Sequence, residues 1–225
     1  MYSHGAGVGK DASIATVERT RAQLAPPRRW YGVTKVGIDL VVATLSFVAL
    51  SPVLLVAALA VRFSSPGPVL FRHQRVGRSG VPFVVYKFRT MRTDTGLPPD
   101  AIASFRENYK LAADPRITPV GRWLRRTSLD EAPQLLNVLS GTMSMVGPRP
   151  VTPAELQEKY GDHADELVSV KPGLTGLWQV SGRSSLTYRQ RVDLDLRYVR
   201  ERGLWADLKI IARTPLAVLL MRGAE

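Results

Sequence analysis

The 225-residue chain has no cysteine and three histidines, His4, His73 and His163. The first absence rules out a disulfide, a thiolate metal site and a cysteine nucleophile. The histidines are scattered without ligand spacing, which speaks against a histidine-based zinc site or a catalytic triad. No glycine-rich phosphate loop is present either. The stretch Gly77-Arg78-Ser79-Gly80 is too short and precedes a strand-like run instead of a helix. Acidic residues are scarce, 19 against 31 lysines and arginines, for a formal net charge of +12. That balance calls for a polyanionic partner: nucleic acid, a phosphorylated substrate or anionic lipid. With 45% hydrophobic residues the chain is not wholesale disordered, and its length suits one domain with an accessory element.

The apolar residues are concentrated. Residues 1–34 are rich in small and charged residues, end near Pro26-Pro27-Arg28-Arg29 and read as a flexible cytosolic tail without a signal-peptide layout. Residues 35–63 hold the run from Val36 to Val61, about 26 residues with Asp39 as the single charge, enough to enter a bilayer. Ser51-Pro52 lies near its middle. The proline removes a helix hydrogen bond and bends the axis, and the serine hydroxyl can satisfy the freed carbonyl. Basic residues bracket both ends, Arg28, Arg29 and Lys35 before and Arg62, Arg72 and Arg75 after, so charge gives a crossing no preferred orientation. A kinked re-entrant helix and a plain span both fit these residues.

Residues 64–225 read as an α+β, mainly helical catalytic domain. Val69 to Phe71 and Val81 to Arg89 flank the Gly77–Gly80 turn as a small β-hairpin. Helical patterns cover Ala101 to Ala112, Val120 to Arg126, Glu131 to Leu139, Thr152 to Val170 and Tyr188 to Arg202, and Leu177 to Val180 reads as a short extended run. The last pattern, Trp205 to Met221, mixes apolar residues with Lys209, Arg213 and Arg222. It suits an amphipathic helix in the membrane interface or a core helix equally.

Two constellations carry chemistry. Asp130 and Glu131 are adjacent at a helix start, about 100° apart around the axis, and so cannot share one role symmetrically; one could attack while the other holds a metal. Their bland alternative is a capping box from Ser128 to Glu131, which Pro133 makes less tidy. The second constellation is basic: Lys87 and Arg89 around Phe88, Arg116 after Pro115, Arg149 between Pro148 and Pro150, and Arg183 after Gly182. Guanidinium forks grip phosphates in bidentate fashion, and a proline-clamped arginine loses little freedom on doing so. Hard carboxylates together with phosphate select Mg²⁺.

In order, these segments resemble the bacterial sugar transferase family, the small monotopic phosphoglycosyl transferases. The motifs are the apolar run with Ser51-Pro52, Tyr86-Lys87-Phe88-Arg89-Thr90-Met91, Asp114-Pro115-Arg116-Ile117-Thr118, Ser128-Leu129-Asp130-Glu131, Met143 to Pro150, and Lys171-Pro172-Gly173 through Gln179 to Arg183. The likeness runs from about Lys35 to Met221. It implies a re-entrant membrane helix broken at Ser51-Pro52 on the cytoplasmic face of a bacterial inner membrane. It implies that Asp130 attacks a UDP-sugar, releasing UMP, and that polyprenyl phosphate accepts the sugar phosphate from the enzyme. Glu131 would hold Mg²⁺ with Asp130, Arg149 would contact the phosphate or uridine, and Lys87, Arg89, Arg116, Gln179 and Arg183 are further candidate substrate contacts.

Thr142 stands where many relatives carry an acid, and the segment before residue 35 is too short and polar for the extra membrane helices of larger relatives, so the minimal form is expected. Partners implied are the UDP-sugar, polyprenyl phosphate and membrane lipid, with no nucleic acid; a homodimer is compatible. Rival classes are a basic nucleic-acid-binding protein or Mg²⁺ nuclease, against which the apolar run counts, and a non-catalytic membrane scaffold. The transferred sugar is left open, because discrimination by hydroxyl pattern depends on pocket geometry.

Overall fold

The computed structural model describes residues 29–92, 114–182 and 185–219. The expected helix at Ala101 to Ala112, residue Arg183 and most of the expected tail lie outside them. The chain begins with one helix, α1 (Arg29–Ser64), so residues 29–34, assigned above to the tail, are helical. It continues through β1 (Leu70–Val76), a 3-10 turn (Arg78–Gly80) and β2 (Pro82–Phe88). Next come α2 (Pro119–Arg126), a 3-10 helix (Leu129–Gln134), α3 (Leu135–Leu139) and β3 (Ser144–Val146). The remainder comprises α4 (Pro153–Glu155), α5 (Ala164–Leu167), β4 (Gly173–Thr175), α6 (Leu177–Ser181), α7 (Tyr188–Glu201) and α8 (Leu204–Leu219). The mainly helical α+β class and the hairpin are as expected. A second, parallel pair, β3 with β4 in the register Ser144 to Gly173, was not.

The helical pattern of α1 runs on through Pro52. Pro52 cannot donate to the Val48 carbonyl, and Ser51 Oγ donates to that oxygen instead at 2.8 Å. One stripe of α1, Ala43, Leu54, Ala57 and Val61, is buried against the rest of the chain. The opposite face leaves Val41, Leu45, Val48, Leu55, Val56 and Leu59 exposed. Only 11% of its most apolar 18-residue window is buried, and it is the one described helix long and apolar enough to cross a membrane.

Both ends of α1 are tied to the same body. Near the start, Tyr31 donates to Asp207 (3.0 Å), Lys35 pairs with Asp39 (2.9 Å) and Asp207 (3.3 Å), and Ser144 donates to Asp39 (2.7 Å). At the end, Arg89 donates to the carbonyls of Ser65 (2.6 Å) and Val61 (3.2 Å), satisfying acceptors that a helix terminus leaves free.

Two expectations fail for local reasons. Leu177 to Val180 is helical, not extended: Gly176 carries the extended backbone, and Leu177 and Val180, three apart, both pack on the Val85, Leu135 and Val146 cluster. The run from Thr152 to Val170 is not one helix. It opens with a Thr152–Glu155 capping box, loosens into a π turn at Leu156–Tyr160, and breaks at Gly161, whose φ of 47° is left-handed.

Candidate active site

The hairpin is the floor of the site. Its register sets Phe71 opposite Lys87, His73 opposite Val85 and Arg75 opposite Phe83, so Lys87, His73 and Arg75 share one face. Asn137 fixes that face: its buried side chain accepts from Tyr86 N (3.1 Å) and donates to Val84 O (2.7 Å), pairing with β2 much as another strand would.

Over this floor lies the Asp130–Glu131 turn. Pro133 would clash with a carbonyl four residues back in an α-helix, and the segment winds as a tighter 3-10 helix. It is preceded by Ser128 at φ 57°, a left-handed residue with a Cβ, a conformation costing roughly 1–2 kcal/mol and found where function fixes the chain. Ser128 makes no capping bond with its side chain, so Glu131 is not held in a capping box. Instead Glu131 Oε1 meets Lys87 Nζ at 2.5 Å. Burial and the neighbouring Glu131 carboxylate push the Asp130 carboxyl up to about 6, against the opposing pull of Lys87 and Arg125.

Arg125 was not foreseen in the sequence. Its Nε donates to Thr90 Oγ1 at 2.9 Å, and it approaches because α2 starts hard against the exit of β2. There a Cβ on Gly121 would stand 2.1 Å from the Thr90 carbonyl oxygen, so only glycine fits. Arg116 grips Asp114 in a fork, Nε to Oδ1 at 3.0 Å and NH2 to Oδ2 at 2.7 Å.

Along the floor from Lys87, His73 Nδ1 lies 3.3 Å from Arg75 NH2. Burial, with the charges of Arg75 and Lys87, lowers the His73 pKa and so favours the neutral ring, which can accept from Arg75. Arg75 reaches Glu155 at 2.9 Å. Its charge is felt by Glu131 on one side and Arg149 on the other, so it joins the carboxylates to a second, basic corner. There the Arg149 and Arg191 guanidinium carbons lie 5.9 and 5.1 Å from the centre of the Trp178 ring. Gln179 is half-buried with its Oε1 beside Gly176, next to the Gly147 carbonyl.

The sequence-derived residues therefore separate. Asp130, Glu131 and Lys87 meet in one corner, and Arg149 and Gln179 lie toward the other. Arg89 is buried at the end of α1, and Ser51 and Pro52 belong to that helix. Arg75, His73, Arg125, Trp178 and Arg191 were missed; hairpin register could have placed His73 and Arg75 on the face of Lys87, while Arg125, Trp178 and Arg191 come together with the site only in three dimensions. Among the described residues no cluster of three or more metal-ligating side chains occurs. Two adjacent carboxylates whose charges oppose each other still form a hard oxygen pair suited to Mg²⁺, if phosphate oxygens and water complete its shell.

A profile of the family described as bacterial sugar transferase matches residues 30–221. The chain belongs to that family. It is 45% identical over 201 residues to an exopolysaccharide production protein, ExoY, of Sinorhizobium fredii, covering 86% of this chain and 88% of the relative. It is 49% identical over 166 residues to the undecaprenyl-phosphate galactose phosphotransferase of Salmonella typhimurium, covering 70% of this chain and 35% of that protein. Against the UDP-glucose:undecaprenyl-phosphate glucose-1-phosphate transferase of Escherichia coli identity is 44% over 189 residues, covering 78% and 38%. The chain thus spans most of the ExoY relative and little more than a third of the two longer ones.

Proposed function

We propose that this bacterial sugar transferase moves a sugar 1-phosphate from a UDP-sugar to polyprenyl phosphate through a phosphosugar ester on Asp130. The observation that carries the reading is the Asp130 corner: a desolvated carboxylate without a direct ion pair among the described residues, beside Glu131 and within the fields of Lys87 and Arg125. Desolvation keeps a nucleophile reactive, and nearby cations offset the charge that develops on phosphoryl oxygens.

An oxygen of Asp130 attacks the β-phosphorus. The phosphorus–oxygen bond to the α-phosphate breaks, and its electron pair leaves with UMP. A phosphate oxygen of the polyprenyl acceptor then attacks the same phosphorus, the bond to Asp130 breaks, and the carboxylate is restored with a lipid diphosphate sugar as product. Lys87 orients Glu131 and adds positive charge beside the reacting phosphate. Asp130 and Glu131 would hold Mg²⁺, which when bound supplies positive charge against the diphosphate. The relatives named for sugar-phosphate transfer to undecaprenyl phosphate support the acceptor class.

The apolar helix enters the membrane from one side and returns in this reading. A straight 36-residue helix would be about 54 Å long, more than the ~30 Å hydrocarbon core. Yet its start is bonded to Asp207 and Ser144 and its end to Arg89, all parts of one body. These bonds support a topology with both ends on one face, and the bracketing basic residues favour the cytoplasmic one. A chain without cysteine lets single cysteines at Gly32 and Pro66 be labelled in spheroplasts without background; labelling of either from outside would refute this topology.

The catalytic test supplies purified protein with polyprenyl phosphate, Mg²⁺ and a panel of UDP-sugars, comparing wild type with Asp130→Asn. The expected result is UMP release that depends on one sugar and on Mg²⁺ and is lost in the variant. Release of UDP would mean ordinary glycosyl transfer and would overturn the mechanism.

A further inference from the structure

We propose that Arg191, acting with Arg149 against the indole of Trp178, grips the phosphate of the nucleoside monophosphate half of the sugar donor and sets how tightly that half is held. The inference rests on the sugar-phosphate-transfer reading and adds a specific subsite to it.

The two arginines come from separate places, Arg149 from the turn after β3 and Arg191 from the first turns of α7, and both lie over one ring, at 5.9 and 5.1 Å from its centre. Among the described residues neither makes an ion pair with a carboxylate. Of the acids nearby, Glu155 holds Arg75, caps α4 through Thr152 and only feels the charge of Arg149, while Asp195 accepts from Tyr160 at 2.9 Å. Arg191 Nε is buried without an acceptor. Burial, then the charge of Arg149, oppose the charge on Arg191. Two like charges brought together, partly desolvated and unpaired, are costly for a fold, and a ring face offsets only part of that. A phosphate seated between the two forks, singly charged in the donor and doubly charged once UMP is released, offsets the repulsion and supplies acceptors to both.

Position selects the nucleotide phosphate over the lipid phosphate. Outward-facing residues of α7 are polar or charged: Arg189, Gln190, Asp193, Arg197, Arg200 and Glu201 are exposed. The large exposed apolar side chains belong instead to α1, the hairpin, α2, α3 and α8. The basic corner is thus on the watery side, and the acceptor's apolar chain has no surface to follow there. The charges that act on Asp130 are Glu131, Lys87 and Arg125; Arg149 and Arg191 are not among them, and Arg75 stands between. The α-phosphate is one bridging oxygen from the β-phosphorus, so a donor with its β-phosphorus at Asp130 turns its α-phosphate to the Arg75 side, where Arg149 and Arg191 reach it, and extends its nucleoside toward Trp178.

The test is calorimetric titration of UMP, uridine and inorganic phosphate into the full-length protein in nanodiscs. It compares wild type, Arg191→Met, Arg191→Lys and, as an exposed control on the same helix, Arg197→Met, with donor and acceptor kinetics for each. Arg191→Met is expected to weaken UMP binding and raise the donor KM by about tenfold or more. Uridine binding, kcat and the polyprenyl phosphate KM should stay within about twofold, with partial recovery in Arg191→Lys and no change in the control. Unchanged UMP affinity in a folded Arg191→Met overturns the inference, as does a rise confined to the polyprenyl phosphate KM. Should the Met variant not fold, Arg191→Gln carries the same criterion. Wild type that transfers sugar phosphate while binding UMP independently of Arg191 defeats this inference alone; wild type that releases no UMP from any donor defeats the reading beneath it.

Discussion

The two ends of the site are built on opposite principles. At the carboxylate end each charge has a counter-charge: Lys87 closes on Glu131 at 2.5 Å, and Asp130 lies in the fields of Lys87 and Arg125. At the basic end, Arg149 and Arg191 share a ring and have no carboxylate partner among the described residues. A balanced corner is preorganised for chemistry, since its charges stay in place as bonds change. A corner with surplus charge of one sign is prepared to bind, and is completed by what it binds.

The contrast makes separable predictions, the largest at the balanced corner. Asp130→Asn is expected to slow sugar-phosphate transfer at least about a thousandfold, while UMP affinity by calorimetry changes less than about twofold. Comparable losses of rate and UMP binding would mean that the corners are not distinct. Lys87→Met should cost about a hundredfold in kcat, because it removes a cation beside the reacting phosphate and the ion pair that orients Glu131. A variant that instead raised only the donor KM would move Lys87 to the binding end.

The frame shared by both corners can be tested as well. Asn137→Leu leaves Tyr86 N and Val84 O without their partner and is expected to cost roughly 2–4 kcal/mol of unfolding free energy, read by denaturant titration in detergent. Asp195 offers a test by pH. Burial pushes its carboxyl up to about 7, while the Tyr160 hydroxyl pulls the other way. The folded protein therefore keeps a proton that the unfolded chain releases near pH 4, and stability falls as pH rises from about 4 to about 7. Asp195→Asn, which keeps an acceptor for Tyr160, should flatten that slope and melt higher than wild type at pH 8. The smallest effect belongs to the exposed Arg197–Glu201 pair, 3.0 Å apart with both side chains 62% exposed, where Arg197→Met should change stability by less than about 0.5 kcal/mol.

Much of the balanced corner was legible in sequence, and little of the surplus one. Asp130 and Glu131 are adjacent, and Lys87 belongs to a strand whose alternation fixes its face. The bland alternative, a capping box at Ser128, was also legible; only the left-handed backbone at Ser128 and the reach of Glu131 to Lys87 decide against it. Trp178 was read as part of an extended run, because tryptophan and valine beside glycines resemble a strand and packing rather than propensity makes the turn helical. Its neighbour Arg191 was one charge among many on α7, and no spacing announces that a residue of that helix will meet the turn after β3. Arg89 carried a sequence signal of the opposite kind. It stands two residues from Lys87 in a basic, aromatic motif, yet it lies one residue past the end of β2, and its guanidinium serves backbone carbonyls at the end of α1.

One consequence follows from the way α1 is bound at both ends and along one stripe. In the proposed topology, a body that cannot swing away from its membrane helix keeps Asp130 at a constant height over the leaflet. The proposed acceptor, held in that leaflet by a polyprenyl chain, then reaches it by a search in two dimensions. Turnover should follow the number of acceptor molecules per unit of membrane area, and diluting the same vesicles into a larger volume of buffer should leave the acceptor step unchanged.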